Sequence, residues 1–249
     1  MPPEPQTHKP PIGEVAGKKR EVESMFDAIA PKYDFLNRTL SLGIDVQWRK
    51  QAVKMAGRAL DRPPRRILDV ATGTADLAVE ALKLGPDEVV GVDIAEEMLA
   101  VGREKLRDRG LDRRITLQRG DAEHLDFADG AFDLVLVAFG VRNFENLGRG
   151  LEELRRVLRP GGVLVVLEFS RPRAFPMKQL YGFYSRHILP RVGRAVSGDS
   201  GAYDYLPESI QAFPDGDDFL RVMAASGFGG LKQKRLTFGI ASLYRGVAA

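Results

Sequence analysis

Short apolar runs alternate with helical segments through the middle of the chain. The runs lie at 66–70, 89–92, 115–118, 132–139 and 163–169, and the segments between them repeat apolar residues every three or four positions. Strands and helices alternate in this way when consecutive parallel strands are joined by right-handed helical crossovers. The pattern therefore predicts an α/β fold built on a mostly parallel sheet.

Helical periodicity also precedes the first of these strands. Apolar positions recur at helical spacing over 18–29 and again over 45–59, and together they predict a helical cap that spans 18–62. Residues 1–17 are rich in proline and polar side chains, which is typical of a disordered tail.

The chain after the fifth predicted strand has two parts. Residues 171–213 break the alternation and mix aromatic with basic side chains, so we expect an insertion that forms a lid over a ligand site. Residues 231–238 and 240–245 then predict two strands joined at Gly239. A terminal antiparallel hairpin would bring the sheet to seven strands and make one edge of it mixed.

Composition excludes several classes of protein. The 249 residues contain no cysteine, so disulfides and thiolate metal sites are excluded, and the three histidines lack metal-ligand spacing. No apolar run approaches the ~18 residues that a membrane span needs, and the N-terminus lacks the apolar core of a secretory signal. We therefore expect a cytoplasmic protein without a metal. The net charge of +3 is small and dispersed, so we expect no nucleic-acid partner.

Small residues and carboxylates follow three successive predicted strands. Gly73 lies in the first strand-to-helix turn, where it lets the backbone approach a ligand closely. Asp93 ends the second strand, at a position from which a carboxylate binds both hydroxyls of a ribose. The segment 120–123 after the third strand offers a carboxylate and a backbone N–H to an adenine edge. Together these positions indicate a cofactor that contains adenosine.

The first turn also discriminates between cofactors. A dinucleotide requires the fuller G-x-G-x-x-G pattern, because its pyrophosphate sits against the helix N-terminus. This turn has one glycine and is flanked by Asp69 and Asp76, which would repel a pyrophosphate but suit sulfonium and ammonium groups. We therefore expect S-adenosylmethionine, and not a nicotinamide cofactor.

Motifs spread over the chain resemble those of the menaquinone/ubiquinone biosynthesis C-methyltransferases. The resemblance covers roughly residues 18 to 246 and implies a class I, Rossmann-like methyltransferase fold. The motifs most particular to the quinone enzymes are Tyr33–Asn37, Phe139–Asn143 and Tyr203–Ile210, and the others are Phe26–Lys32, Leu40–Gly43, Trp48–Lys50, Asp69–Leu77, Arg156–Gly162, Leu167–Ser170, Phe213–Gly216 and Thr237–Ile240.

The resemblance implies the ligands and several of their sites. The donor is S-adenosylmethionine, which leaves as S-adenosylhomocysteine, and the implied donor-binding positions are Thr74, Asp93, Asp121 and Ala122. The turn and charge arguments add Gly73 and Asp69 to this set. The acceptor is a prenylated quinol. We favour demethylmenaquinol, which would become menaquinol, while 2-polyprenyl-6-methoxy-1,4-benzoquinol, a ubiquinone precursor, stays open.

Two positions depart from the family pattern. Ala75 stands where the family usually has glycine, which puts the angle of the turn in question. Ala138 stands where the family often has serine, which removes one candidate hydrogen bond to the donor.

Methylation of a ring carbon requires an electron-rich acceptor, so we expect the reduced quinol as the substrate. The candidate catalytic residues are Arg142, Asn143 and Tyr33. Arg142 follows the fourth strand and would stabilise a phenolate, or alternatively pair with a carboxylate and only shape its loop. Tyr33 comes from the helical cap and would close over donor or ring, or alternatively only pack there.

The sequence argues against three other functions. Nucleic-acid amine methyltransferases usually carry Asn/Asp-Pro-Pro-aromatic after the fourth strand, where this chain has Phe139–Asn143, and the glycine pattern argues against an oxidoreductase. A non-catalytic scaffold that binds the donor is disfavoured by the intact acidic positions. Two kinds of association stay open: transient contact of the lid with the inner face of a membrane, and a homodimer.

Overall fold

The computed structural model describes residues 16–183 and 201–249, and seven strands of these residues form one sheet. The predicted tail and part of the predicted lid, residues 1–15 and 184–200, lie outside the described residues. The strands are Arg66–Val70 (β1), Glu88–Asp93 (β2), Ile115–Arg119 (β3), Phe132–Ala138 (β4), Leu158–Phe169 (β5), Phe228–Leu236 (β6) and Ala241–Ala248 (β7).

Helices cover both faces of the sheet and the end where the parallel strands finish. They are Lys18–Ile29 (α1), Tyr33–Leu40 (α2), Ile44–Ala59 (α3), Asp76–Ala81 (α4), Glu96–Asp108 (α5), Leu147–Val157 (α6), Met177–Phe183 (α7), Gly201–Ala212 (α8) and Asp217–Ala225 (α9). No helix of the described residues is both long and apolar enough to cross a bilayer.

The strand order is β3-β2-β1-β4-β5-β7-β6, with β1 to β5 parallel and β7 antiparallel to both of its neighbours. This arrangement confirms the predicted α/β class and the terminal hairpin. The parallel strands are recognisable in the sequence because helices bury both of their faces, so that they consist of nearly continuous apolar residues. In β4, for example, Leu134 to Val137 are completely buried.

Two apolar cores lie on opposite faces of the sheet. Helices α3, α4 and α5 pack on one face, and α6 and α9 pack on the other. Alternate residues of each strand point to opposite faces. In β1, Ile67 therefore joins the first core, while Leu68 and Val70 join the second.

Strand β5 and helix α2 differ from the sequence prediction. Strand β5 begins at Leu158 and not at Val163, because Leu158 pairs with Phe132 and the Pro-Gly-Gly segment forms an irregularity inside the strand. Helix α2 was not predicted. It is short, and its helical neighbours hold it at the edge of the cap.

The order of the strands places a crevice between β1 and β4. Chain connections leave these neighbours in opposite directions, and such a switch point is where open α/β sheets bind ligands. The two loops approach closely there, since a Cβ atom built on Gly140 would lie 2.5 Å from the Cβ atom of Ala71. Helices α1 and α8 cover this end of the sheet and pack together through Val22, Met25 and Tyr205.

Candidate active site

Two adjoining pockets open at the carboxyl ends of the parallel strands. The first, of about 670 Å³, is lined by the tips of β1 to β4, and we call it the strand-tip pocket. The second, of about 1530 Å³, lies between α1, α2, α3, α8 and the end of β5, and we call it the cap pocket. Three aromatic residues line both pockets and form their common wall: Phe26, Tyr33 and Phe139.

The Asp93 carboxylate lies in the strand-tip pocket and is held by backbone N–H groups of two loops. Its Oδ2 atom accepts a hydrogen bond from the N–H of Gly73 at 2.8 Å, and its Oδ1 atom accepts one from the N–H of Ala95 at 3.0 Å. Burial raises the pKa of the Asp93 carboxyl, although these N–H groups oppose the rise. Asp93 and Gly73 both line the pocket, where sequence analysis placed them.

The first turn has an unusual backbone. Ala71, Gly73 and Ala75 all have left-handed φ values, of 53°, 54° and 69°. Alternate left-handed residues curl the chain tightly, so that the backbone of Ala71 and Gly73 forms part of the pocket surface.

Two predicted donor-binding residues lie beneath this turn and do not line the strand-tip pocket. Asp69 is 1% exposed, and its Oδ2 atom accepts a hydrogen bond from the Thr72 hydroxyl at 2.6 Å. Thr74 is also buried and bonds with Asp34 and Lys105. Both side chains therefore brace the turn from below, and a direct contact with the donor stays a prediction that this geometry does not favour.

Burial and ion pairs affect the charge of the two acids that flank the first turn, Asp69 and Asp76. Burial raises the pKa of Asp69 to about 7. Asp76 forms ion pairs with Lys105 at 2.9 Å and with Arg49 at 2.9 Å. One acid is therefore buried below the turn and the other is paired with two cations, and their expected attraction to a positively charged ligand stays a prediction.

The tip of β3 is covered by the start of α1. Asp121 accepts hydrogen bonds from the Lys19 ammonium group and from the N–H of Glu123, and Ala122 lines the pocket beside it. The buried ammonium group of Lys18 binds the carbonyl oxygens of Arg142 and Phe144, at 3.1 and 3.0 Å. These contacts fasten α1 across the strand-tip pocket. Sequence analysis did not identify either lysine.

Arg142 follows β4 and is held by a buried carboxylate. Its Nη1 atom lies 2.9 Å from Oε1 of Glu168, and the two side chains are 6% and 0% exposed. The guanidinium also donates to the carbonyl oxygen of Phe139 and, through Nε, to Oγ of Ser209 at 3.3 Å. The carboxylate pairing that sequence analysis gave as an alternative is therefore present, yet Arg142 also lines the cap pocket.

Asn143 and Tyr205 form a second link between the loop after β4 and the lid. The Tyr205 hydroxyl donates to Oδ1 of Asn143 at 3.1 Å. Burial raises the pKa of Tyr205 to about 12, so its hydroxyl remains protonated. Asn143 lines the strand-tip pocket and Tyr205 lines the cap pocket, so the bond crosses from one pocket to the other.

Tyr33 stands between the two pockets. Its ring packs edge-on against Phe26 with centroids 6.1 Å apart, and a Cβ atom on Gly73 would lie 3.9 Å from it. Burial raises the pKa of the Tyr33 hydroxyl, which favours a neutral phenol at the shared wall.

The deep end of the cap pocket is an aromatic surface. Phe139 and Phe169 are tilted against one another with centroids 4.5 Å apart, and Trp48 packs against Phe169 at 6.2 Å. The indole N–H of Trp48 donates to the hydroxyl of Thr237 at 2.8 Å. Flat apolar surfaces with fixed polar groups at the edge suit a planar ring that carries oxygen substituents.

Comparison with known sequences identifies the family. The model of the ubiE/COQ5 methyltransferase family matches residues 14–248. The chain belongs to the ubiE/COQ5 methyltransferase family. A family member from Bacteroides fragilis, named demethylmenaquinone methyltransferase, is 47% identical, and the match covers 96% of this chain and 97% of that protein. A member from Geotalea daltonii, named ubiquinone/menaquinone biosynthesis C-methyltransferase UbiE, is 46% identical over 92% of this chain and 97% of that protein.

Solved structures confirm the fold of this ubiE/COQ5 family member. An S-adenosylmethionine-dependent methyltransferase from Thermotoga maritima, described as a possible histamine N-methyltransferase, is 18% identical, with a TM-score of 0.60 over 91% of this chain and 99% of that chain. A phosphoethanolamine N-methyltransferase from Haemonchus contortus, in complex with S-adenosylmethionine, is 16% identical, with a TM-score of 0.59 over 86% of this chain and 59% of that chain. The protein is thus a methyltransferase of the S-adenosylmethionine-dependent fold, and the oxidoreductase alternative is excluded.

Proposed function

We propose that the protein transfers a methyl group from S-adenosylmethionine to a ring carbon of a prenylated quinol, with demethylmenaquinol as the acceptor. The products are menaquinol and S-adenosylhomocysteine. The main support is the wall of Phe26, Tyr33 and Phe139 that the two pockets share, because it puts the pocket at the strand tips directly beside an aromatic slot.

The residues of the strand-tip pocket fit the donor. Asp93 is fixed by two backbone N–H groups, so its remaining lone pairs are available to the hydroxyls of a ribose. Asp121 and Ala122 supply an acceptor and a backbone donor for an adenine edge, and Gly73 leaves room for close approach. When bound, the donor supplies an electrophilic methyl group on a positively charged sulfur.

The residues of the cap pocket fit the acceptor. Phe139, Phe169 and Trp48 offer an apolar aromatic surface on which a flat ring can pack. The new carbon–carbon bond would form as the methyl–sulfur bond breaks, and the positive charge that it places on the ring would be offset by loss of a hydroxyl proton. The hydrogen of the methylated ring carbon would then leave as a proton while the ring oxygen regains one, which restores the aromatic quinol. A phenol has a pKa of roughly 10, so a partner that stabilises the phenolate assists the reaction at neutral pH. Arg142 is that partner in our proposal, and Asn143 and Tyr33 help to orient the two ligands.

Positioning supplies much of the catalysis in this proposal. When two reactants are held in contact and aligned, the activation barrier falls by several kcal/mol, and by up to about 7–11 kcal/mol in the best cases. The bonds from α1 and α8 to the loop after β4 support this function, because they hold both pockets in one fixed arrangement.

A methylation assay with defined acceptors tests the proposal. The purified protein and S-adenosylmethionine are incubated with demethylmenaquinone bearing a short prenyl tail, either reduced or oxidised, and the lipids are analysed by mass spectrometry. We expect a product one methylene heavier from the reduced form only. Failure to methylate the reduced form, despite measured donor binding, would contradict the proposed acceptor.

The methoxy-benzoquinol of ubiquinone synthesis is tested in the same assay. The name of the Geotalea relative includes both pathways, which is the observation that favours this second acceptor. Faster turnover of the benzoquinol than of the naphthoquinol would reverse our preference.

We also propose that the rim of the cap pocket contacts a lipid surface while the prenyl tail remains in the bilayer. Exposed apolar side chains support this, since Leu42 is 86% and Leu180 is 59% exposed and both line the pocket mouth. Phe175 is exposed shortly before Leu180 in the sequence, Phe238 is exposed between the pocket residues Thr237 and Ile240, and Lys178 adds a positive charge.

Vesicle sedimentation tests the membrane contact. We expect the protein to sediment with vesicles that contain anionic lipid, and the Leu42→Asp and Phe238→Asp variants to sediment less. The control is Gln47→Asp, at an exposed position of α3 that does not line the cap pocket. Equal sedimentation of all variants would refute the proposed contact surface.

A further inference from the structure

We propose that Glu168 is a positioning residue, which fixes the guanidinium of Arg142 at the edge of the cap pocket without itself touching the acceptor. The inference rests on the proposed function of Arg142 in stabilising a phenolate. Neither Glu168 nor its role was identified from the sequence.

Glu168 fixes both the side chain and the backbone of Arg142. It lies near the end of β5, where its Oε1 atom accepts from Nη1 of Arg142 at 2.9 Å and from the N–H of Phe169 at 2.8 Å. Its Oε2 atom faces the backbone N–H of Arg142 at 3.4 Å. One rigid carboxylate on a central strand therefore determines where the loop after β4 places its arginine.

The guanidinium of Arg142 donates two further hydrogen bonds. The carbonyl oxygen of Phe139 accepts from Nη1, and Oγ of Ser209 on α8 accepts from Nε at 3.3 Å. The Ser209 hydroxyl in turn donates to the carbonyl oxygen of Leu206 at 2.9 Å. Arg142 is thus held by β4, β5 and the lid together, so its orientation depends on the position of α8.

Charge explains why a carboxylate is needed here. Glu168 is completely buried and Arg142 nearly so, and removal of either charge would leave the other unpaired in an apolar setting. Among the described residues, the ion pair of Arg142 is with Glu168. Glu168 does not line either pocket, in contrast to Arg142, so any effect of Glu168 on the acceptor passes through Arg142.

Chemical rescue with guanidinium tests this relation. Replacement of Arg142 by Ala leaves a cavity that faces the Glu168 carboxylate, and we expect turnover to fall about 100-fold, as on loss of one electrostatic donor. Millimolar guanidinium should raise the turnover of this variant at least tenfold, to about a tenth of the original rate. The double variant Arg142→Ala/Glu168→Gln should show no rescue. Equal rescue in both variants would overturn the proposal.

Single substitutions supply a second measurement. We expect Glu168→Gln to lower kcat by about 10- to 100-fold, as for other groups that orient a functional residue, with donor affinity changed less than about threefold. The control is Arg171→Gln, which breaks the ion pair of Arg171 with Asp215 at the base of the lid, outside both pockets, and should retain kcat. Unchanged kcat in folded Glu168→Gln would also overturn the proposal.

A further variant covers the case in which Glu168→Gln does not fold. Glu168→Asp keeps the charge but shortens the side chain by one methylene, so kcat should fall while the melting temperature stays close to that of the wild type. Normal kcat in folded Glu168→Asp contradicts the positioning role. If Arg142→Ala itself retained full turnover, the proposed function of Arg142 would fail instead, which separates the two hypotheses.

Discussion

The two ends of the parallel sheet treat buried acids in opposite ways. At the amino end, Asp133 at the start of β4 accepts hydrogen bonds from Arg159 at 2.8 Å, from Arg62 at 3.2 Å and from two backbone N–H groups. Burial opposes ionisation of Asp133, but these donors outweigh it and lower the pKa to about 2. The acid is therefore fully ionised and fully paired in the folded protein.

At the carboxyl end, buried acids are compensated less completely. Burial raises the pKa of Asp69, of Asp93 and of Glu168. Among the described residues, the Oδ1 atom of Asp69 has no hydrogen-bond partner. Asp93 lines the strand-tip pocket, whereas Asp69 lies under the first turn and Glu168 holds Arg142. Strongly shifted acids cluster at ligand sites, where binding groups and the groups that position them are buried together. The amino end thus serves stability, while the carboxyl end serves binding at some cost in stability.

The largest effect should follow from a change at the carboxyl end. We expect Asp93→Ala to weaken donor affinity by about 100-fold or more, because two charge-assisted hydrogen bonds to a ribose are lost at about 1.5–3 kcal/mol each. Titration calorimetry with S-adenosylhomocysteine measures the loss. Asp133→Asn is the matched control and should bind normally. Comparable affinity for Asp93→Ala and wild type would remove the ribose role and the contrast between the two ends.

The second effect belongs to the amino end. Asp133→Asn should lower the free energy of unfolding at pH 7 by about 2 kcal/mol, since a pKa of about 2 in the folded state lies below the ordinary 3.8. Because the pKa of Asp133 is lower in the folded state than in the unfolded state, its ionised carboxylate stabilises the folded protein at pH values above 3.8. This stabilisation is lost as the pH falls from 3.8 towards 2. Urea unfolding at several pH values measures the difference between variant and wild type. A difference that is unchanged at low pH would show that packing, and not ionisation, is responsible.

Asp69→Asn should raise the free energy of unfolding, in contrast to Asp133→Asn. The folded pKa of about 7 lies above the ordinary 3.8, so the stabilisation by the protonated acid is complete below 3.8 and is lost as the pH rises through 7. A neutral amide avoids this loss, and we expect the variant to be more stable than wild type by about 1–3 kcal/mol at pH 8, with a smaller gain at pH 5. Thermal unfolding at the two pH values tests this. Destabilisation at pH 8 would indicate that the ionised carboxylate has an unrecognised partner.

The same variant tests the placement of Asp69 beneath the turn. Because its carboxylate bonds Thr72 and does not line the strand-tip pocket, donor affinity should change by less than about threefold, far below the loss from a direct charge-assisted bond. A loss as large as that of Asp93→Ala would restore the donor-binding role predicted from the sequence.

Strands β1, β2 and β4 were predictable because each is a buried apolar run, and the parallel direction of β1 to β5 followed from the alternation with helices. The start of β5 was not predictable, because the pairing of Leu158 with Phe132 depends on a neighbour far along the chain. The contacts of the helical cap were not predictable for a similar reason. Lys105 joins Asp34 of α2 to Asp76 of α4, a contact between residues that no periodicity relates.

The site shows the same division. Gly73, Asp93, Asp121 and Ala122 line the strand-tip pocket because residues just after parallel strands share one edge of the sheet. Asp69 lies inside β1, where side chains alternate between faces, so its proximity in sequence to Gly73 did not place it in the pocket. Arg142 and Glu168 meet across 26 positions, and no spacing rule connects them.

The smallest effect concerns the turn itself, where Ala75 is fully buried with a left-handed φ of 69°. Relief of left-handed strain by Ala75→Gly should gain about 1–2 kcal/mol, and the lost methyl contact should cost about 0.8 kcal/mol. The net change should therefore be a gain of at most about 1 kcal/mol. The control is Ala78→Gly in α4, equally buried but helical, which should be destabilised by about 1 kcal/mol or more. Urea midpoints compare the two, and equal destabilisation would mean that the turn stores no strain at Ala75.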